Sequence, residues 1–98
     1  MNDYVCILTD STCSTLSTGV TNDLARRVYG HREKLAAGFT RRYNVSRLVY
    51  YESFGDLASA LTREKQMKAG PRLQKLSLVS EFNPRWRDLY DTILAVSS

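Results

Sequence analysis

The chain has 98 residues, 43% of them apolar and 24% charged, proportions typical of an ordinary globular domain. That length suits a single domain over 1–98 and excludes two. No apolar run nears the roughly 20 residues a bilayer span requires, so a membrane is not an expected partner. The net charge is +4, with −3 over residues 1–24, +6 over 25–49 and +1 over 50–98. A basic stretch of this kind suits either a polyanion-facing surface built from Arg26, Arg32, Lys34, Arg41 and Arg42, or a solvated face. Met1-Asn2-Asp3 has no basic segment leading into an apolar one, so no signal peptide and a cytoplasmic location are expected. Two cysteines make no disulfide framework, and neither Cys6 nor Cys13 has a second metal ligand at zinc spacing, so reduced thiols are expected.

In chain order, β-branched and apolar residues from Tyr4 to Thr9 predict a strand. The turn cluster Ser11-Thr12-Cys13-Ser14 follows, and Leu16 to Val20 returns as the second arm of a hairpin. Thr21 or Asn22 can cap a helix over about 22–34, whose stripe holds Leu24, Val28, His31 and Leu35. Phe39 to Tyr43 reads as a short turn or helix, and Arg47 to Phe54 as a third strand. Gly55-Asp56 opens a second long helix running to about Lys68. Gly70-Pro71 ends it and starts a third, and Asn83-Pro84 repeats that device before a helix through Trp86, Leu89, Tyr90 and Ile93. The order β-β-α-β-α-α-α predicts an α+β fold, a three-stranded, mostly antiparallel sheet flanked by helices.

The residue that stands out without any comparison is Glu64. Leu57, Ala60, Leu61 and Met67 define the apolar stripe of its helix, and at about 100° per residue Glu64 falls inside it. A carboxylate facing a core is costly unless a metal ion, a substrate or a cation compensates it. The alternative is a pair with Lys68 four residues on. His31 is either a hydrogen-bonded core residue or a catalytic one. Arg27, at the margin of its helix stripe, can grip a phosphate or pair with a rim acid. Asn83 is most economically an N-cap, though its amide could touch substrate. Cys6 and Ser17 are nucleophiles by residue type, yet no base is placed beside them, so packing in the sheet is expected.

Several stretches together resemble one family. They are Tyr4-Val5-Cys6-Ile7-Leu8, Gly19-Val20-Thr21-Asn22-Asp23-Leu24 with Arg26-Arg27-Val28, the basic helix reaching His31, and Phe39-Thr40 with Arg42-Tyr43-Asn44. Leu48-Val49-Tyr50-Tyr51-Glu52, Arg63-Glu64-Lys65-Gln66-Met67-Lys68 and Asn83-Pro84 with Trp86 and Asp88-Leu89-Tyr90 belong to the same pattern. The chain is similar to small stand-alone GIY-YIG proteins, related to the nuclease module of the excision-repair subunit UvrC. The resemblance implies a metal-dependent DNA endonuclease that hydrolyses phosphodiester bonds with one Mg²⁺ or Mn²⁺. It assigns that ion to Glu64, the charge developing on the phosphoryl oxygens to Arg27, support of the attacking water to His31, and a place near the metal–phosphate site to Asn83. Where the two signature motifs carry tyrosine this chain has Cys6 and Ser17, and Ala69-Gly70-Pro71 replaces a frequent Gly-Trp-Arg. The loss of positioned tyrosines implies weakened activity. The alternative is a degenerate module that binds nucleic acid or a protein partner without cutting.

Overall fold

The computed structural model describes residues 2–10, 12–13, 15–36 and 47–97, with side chains described for 2–10, 12–13, 15–30 and 47–94. The elements run β1(Asp3–Thr9), β2(Leu16–Thr21), α1(Leu24–Ala36), β3(Arg47–Phe54), α2(Leu57–Ala69), α3(Arg72–Phe82) and α4(Tyr90–Ser97). The expected order is therefore observed. The segment 39–43, expected as a turn or short helix, lies outside the described residues.

The sheet order is β2-β1-β3, with both pairings antiparallel. β1 is central and covered on both faces, which explains its unbroken apolar run: Val5, Cys6, Ile7 and Leu8 are all buried. Val5 and Ile7 pack with Ala60 and Met67 of α2 and Val79 of α3. Cys6 and Leu8 point the other way, into Leu24 and Val28 of α1 and Ile93 of α4. The result is three layers, with α2 and α3 on one face of the sheet and α1 and α4 on the other. A bulge between Ile7 and Leu8 in the β1–β3 register sets Val49 and Tyr50, consecutive in sequence, into the same cluster.

Three caps differ from expectation. The start of α1 is capped by Asp23, whose Oδ1 accepts the Arg26 N–H at 3.2 Å, while Thr21 Oγ1 accepts the Asp23 N–H at 3.0 Å. Asp56 caps α2 as expected, accepting the Ser59 N–H at 2.7 Å, whereas α3 begins one residue after Pro71. Asn83-Pro84 opens no helix. Asn83 closes α3 instead, donating its backbone N–H to Val79 O at 2.7 Å, and a turn follows with Trp86 at φ 54°. The chain then runs along β3, where the Leu89 N–H donates to Leu48 O at 2.7 Å and Asp88 Oδ1 accepts the Leu48 N–H at 3.2 Å. This segment covers part of an edge strand before α4 begins. Among the described residues no helix is long and apolar enough to cross a membrane.

Candidate active site

The site is built around Cys6. Strand alternation sends its thiol to the α1 face, where the register places Gly19 beside it on β2 and Tyr51 beside it on β3. Leu24 and Val28 anchor α1 on that face, and Arg27, three residues after Leu24, reaches back over the hairpin. Its guanidinium lies on the bare backbone of Gly19: a Cβ there would stand 2.6 Å from Cζ and 3.1 Å from Nε. The absence of a side chain at this position is what permits that close approach. The guanidinium also lies close enough to the Cys6 thiol to lower its pKa. Arg27 Nε is buried and finds no acceptor among the described residues.

Glu64 comes from α2, on the opposite layer. Its side chain is 17% exposed, and Lys68 Nζ stands 3.4 Å from its Oε2. Both readings of this residue are thus realised: the carboxylate is turned mostly inward, and it is held by the lysine one helical turn on. Its charge still reaches Cys6. Burial pushes the Cys6 thiol above its ordinary pKa, Arg27 pulls it down through its charge, and Glu64 raises it. Arg27 and Glu64, offered by helices on opposite faces, therefore both act on one buried thiol. A protonated thiol under these influences is neither a base nor a ligand for a hard cation.

Ser17 sits across from Leu8, on the same sheet face as Cys6 and Gly19, and is half-buried. Packing in the sheet describes both residues. Cys6 and Cys13 are free thiols. Arg26 is exposed on α1. His31, Arg32 and Lys34 lie on the described backbone of α1 with side chains outside the described set, and Arg41 and Arg42 lie outside the described residues altogether.

Asn83 is buried and hydrogen-bonded throughout. Its Nδ2 donates to Val49 O at 3.2 Å and to Arg87 O at 2.8 Å, and its Oδ1 accepts the Arg87 N–H at 3.1 Å. Both amide hydrogens are occupied by backbone. The side chain ties the loop after α3 to β3.

Sequence reasoning missed a second polar group on β3. The Tyr50 hydroxyl donates to Glu52 Oε2 at 2.8 Å, and Arg63 Nε donates to the same oxygen at 3.3 Å. Burial and the Glu52 carboxylate raise the Tyr50 pKa. Phe82 sits edge-on to Tyr50 and Tyr51, with ring centres 5.1 and 5.3 Å away. The period-2 spacing of Tyr50 and Glu52 was the available signal for this group.

The donor chemistry fits one divalent ion in a restricted sense. Among the described residues no three His, Cys, Asp or Glu side chains come together, so no all-protein cage exists there. Magnesium does not need one, since it keeps several waters and binds through one or two carboxylates plus substrate phosphate. Glu64 is such a carboxylate.

Comparison with known proteins identifies the family. Residues 2–76 match the model of the GIY-YIG catalytic domain. A UPF0213 protein of Haloquadratum walsbyi is 35% identical over 82 residues, which is 83% of this chain and 92% of that protein. One from Clostridium perfringens is 39% identical over 66 residues, covering 67% and 71% respectively. The solution NMR structure of a UPF0213 protein from Bacillus halodurans superposes with a TM-score of 0.57 at 32% identity, over 90% of this chain and 93% of that one. The chain belongs to the GIY-YIG family, as one of its small UPF0213-type members.

Proposed function

We propose that the chain hydrolyses DNA phosphodiester bonds with a divalent ion held by Glu64, and does so slowly. The observation that carries this reading is the Arg27 guanidinium, fixed over Gly19 with a buried Nε–H that lacks an acceptor among the described residues. Buried donors are normally satisfied, and a phosphate oxygen is the acceptor whose geometry a guanidinium matches best.

Arg27 would bind the scissile phosphate and stabilise charge building on its oxygens, a contribution strengthened by partial burial. Glu64 would exchange Lys68 for the ion, which supplies Lewis-acid stabilisation of the phosphoryl group. Cys6, protonated, takes no proton from water, and Ser17 has no base beside it by sequence. His31 is the residue proposed to support the attacking water. A positioned base typically contributes 10²–10⁴-fold, so the absence of tyrosine at positions 6 and 17 reduces turnover by about that factor. Asn83 serves the site indirectly, by holding the loop after α3 against β3. Arg26, Arg32, Lys34, Arg41 and Arg42 are proposed as contacts to the DNA backbone.

The second reading, a nucleic-acid-binding module without cleavage, is favoured by the buried, protonated state of Cys6. Incubation with supercoiled plasmid and branched DNA plus Mn²⁺ separates the two. Nicking that disappears in Glu64→Ala and Arg27→Ala supports hydrolysis. No nicking, or nicking undiminished by Glu64→Ala, overturns it. Salt-dependent binding without nicking leaves the module reading.

A further inference from the structure

A cavity of about 270 Å³ opens between the start of α1, the sheet and α4. We propose that it is a nucleobase pocket, receiving the base of a nucleotide whose backbone lies at Arg27. The proposal rests on the nuclease reading for its partner and on the cavity's own chemistry for its ligand.

Tyr4 and Tyr51 provide the floor. Both project from the sheet face that carries Cys6: Tyr4 is two residues earlier on β1, and Tyr51 is the register partner of Cys6 on β3. At about 3.3 Å per strand residue, Tyr4 stands roughly 7 Å from Cys6 along β1. A single nucleotide covers that reach between its phosphate and its base. Phe82 packs edge-on against the Tyr51 ring, with ring centres 5.3 Å apart. Leu24 and Ile93, each 7% exposed, close the back with apolar surface. The volume is near the lower limit of small-molecule sites, about 300 Å³, and suits one planar ring system.

The rim selects a base over other ligands. Asp23 lines the rim and uses Oδ1 to cap α1, which leaves Oδ2 available as an acceptor for an amino group. Asn22 is exposed, and its amide has no hydrogen-bond partner among the described residues. An amide of this kind reads adenine through a donor and an acceptor at once, and a carboxylate accepts from exocyclic amino groups. The carboxylate repels phosphate, so the backbone stays outside and the ring enters. With one carboxylate, the cavity is also no cage for a metal ion. Aromatic floors stack any base, while this rim favours bases bearing an amino group.

The test is an NMR titration of the full chain with adenosine and with thymidine, neither of which carries a phosphate. Adenosine is expected to shift the amide signals of Asn22, Asp23 and Tyr51, and thymidine to bind several-fold more weakly. Asn22→Ala, an exposed substitution that leaves the fold intact, and Tyr51→Leu should each weaken adenosine binding about tenfold. Arg27→Gln should leave adenosine binding unchanged while weakening a short oligonucleotide. The same oligonucleotide with one abasic position should bind less tightly than the intact one. Adenosine that moves none of the pocket signals, or equal binding of abasic and intact oligonucleotides, overturns the pocket and leaves the phosphate reading standing. Adenosine binding at the pocket without any oligonucleotide binding overturns the nuclease reading and leaves the pocket.

Discussion

Arg27 rests on Gly19, and the absence of a side chain at position 19 is what lets the guanidinium reach the Cys6 thiol. Gly19→Ala puts a methyl group into the space of the guanidinium, the far end of a flexible side chain. The arginine therefore swings away while the hairpin persists. The expected outcome is a melting temperature within a few degrees of the parent and a loss of DNA cleavage of about 10²-fold, as for removal of one charge-stabilising donor. Thermal melts and plasmid nicking on the same preparation check both halves.

Lys68 restrains the carboxylate that the ion needs. The pair is an i,i+4 contact with a half-exposed lysine, worth less than about 0.5 kcal/mol. Lys68→Ala is thus expected to leave stability nearly unchanged and to tighten Mn²⁺ binding several-fold. Calorimetric titration of the two proteins with Mn²⁺ gives the comparison, and weaker binding in the variant would contradict it.

Asn83 holds three backbone partners across the loop after α3. Asn83→Asp turns the donor into an acceptor facing the carbonyls of Val49 and Arg87. The cost is about 2–4 kcal/mol, from two lost hydrogen bonds and buried oxygens set against one another. Urea unfolding measures it. Activity per folded molecule should change far less than the folded fraction.

Among the described residues, Cys6 and Tyr50 hold protons in the folded state that the unfolded chain releases at high pH. Burial raises the Cys6 thiol from 9.0, and burial with the Glu52 hydrogen bond raises Tyr50 from 10.0. A raised folded pKa gives stability that is complete below the unfolded value and is lost as pH climbs towards the folded one. Stability is therefore expected to hold flat to about pH 9, decline above it, and decline more steeply above pH 10. Tyr50→Phe should flatten the second decline in urea midpoints taken across that range.

The strands and their order are legible in the sequence because β1, β2 and β3 are dense in β-branched and aromatic residues between turn signals. Glu64 was legible for a geometric reason: helical periodicity sets it beside Ala60 and Met67, which are buried, although Leu57 and Leu61 of the same expected stripe are exposed, and the same arithmetic pairs it with Lys68. Arg27 was legible only as a margin residue, since its approach to Gly19 depends on how α1 crosses the hairpin. Asn83-Pro84 misled because this pair starts a turn as readily as a helix. The hydrogen bond that decides between them runs to Val49, 34 positions away. The cavity at Tyr4, Asn22, Asp23 and Tyr51 left no local trace, as its walls come from four separated stretches, the last of them at Ile93.

The most direct test of the account is the location of Mn²⁺ in crystals of the protein grown with a short DNA duplex. An anomalous peak directly coordinated by the Glu64 carboxylate is expected, with Lys68 displaced and a phosphate oxygen within hydrogen-bonding distance of Arg27. A phosphate bound at Arg27 with no manganese at Glu64, or manganese only on other carboxylates, would contradict it.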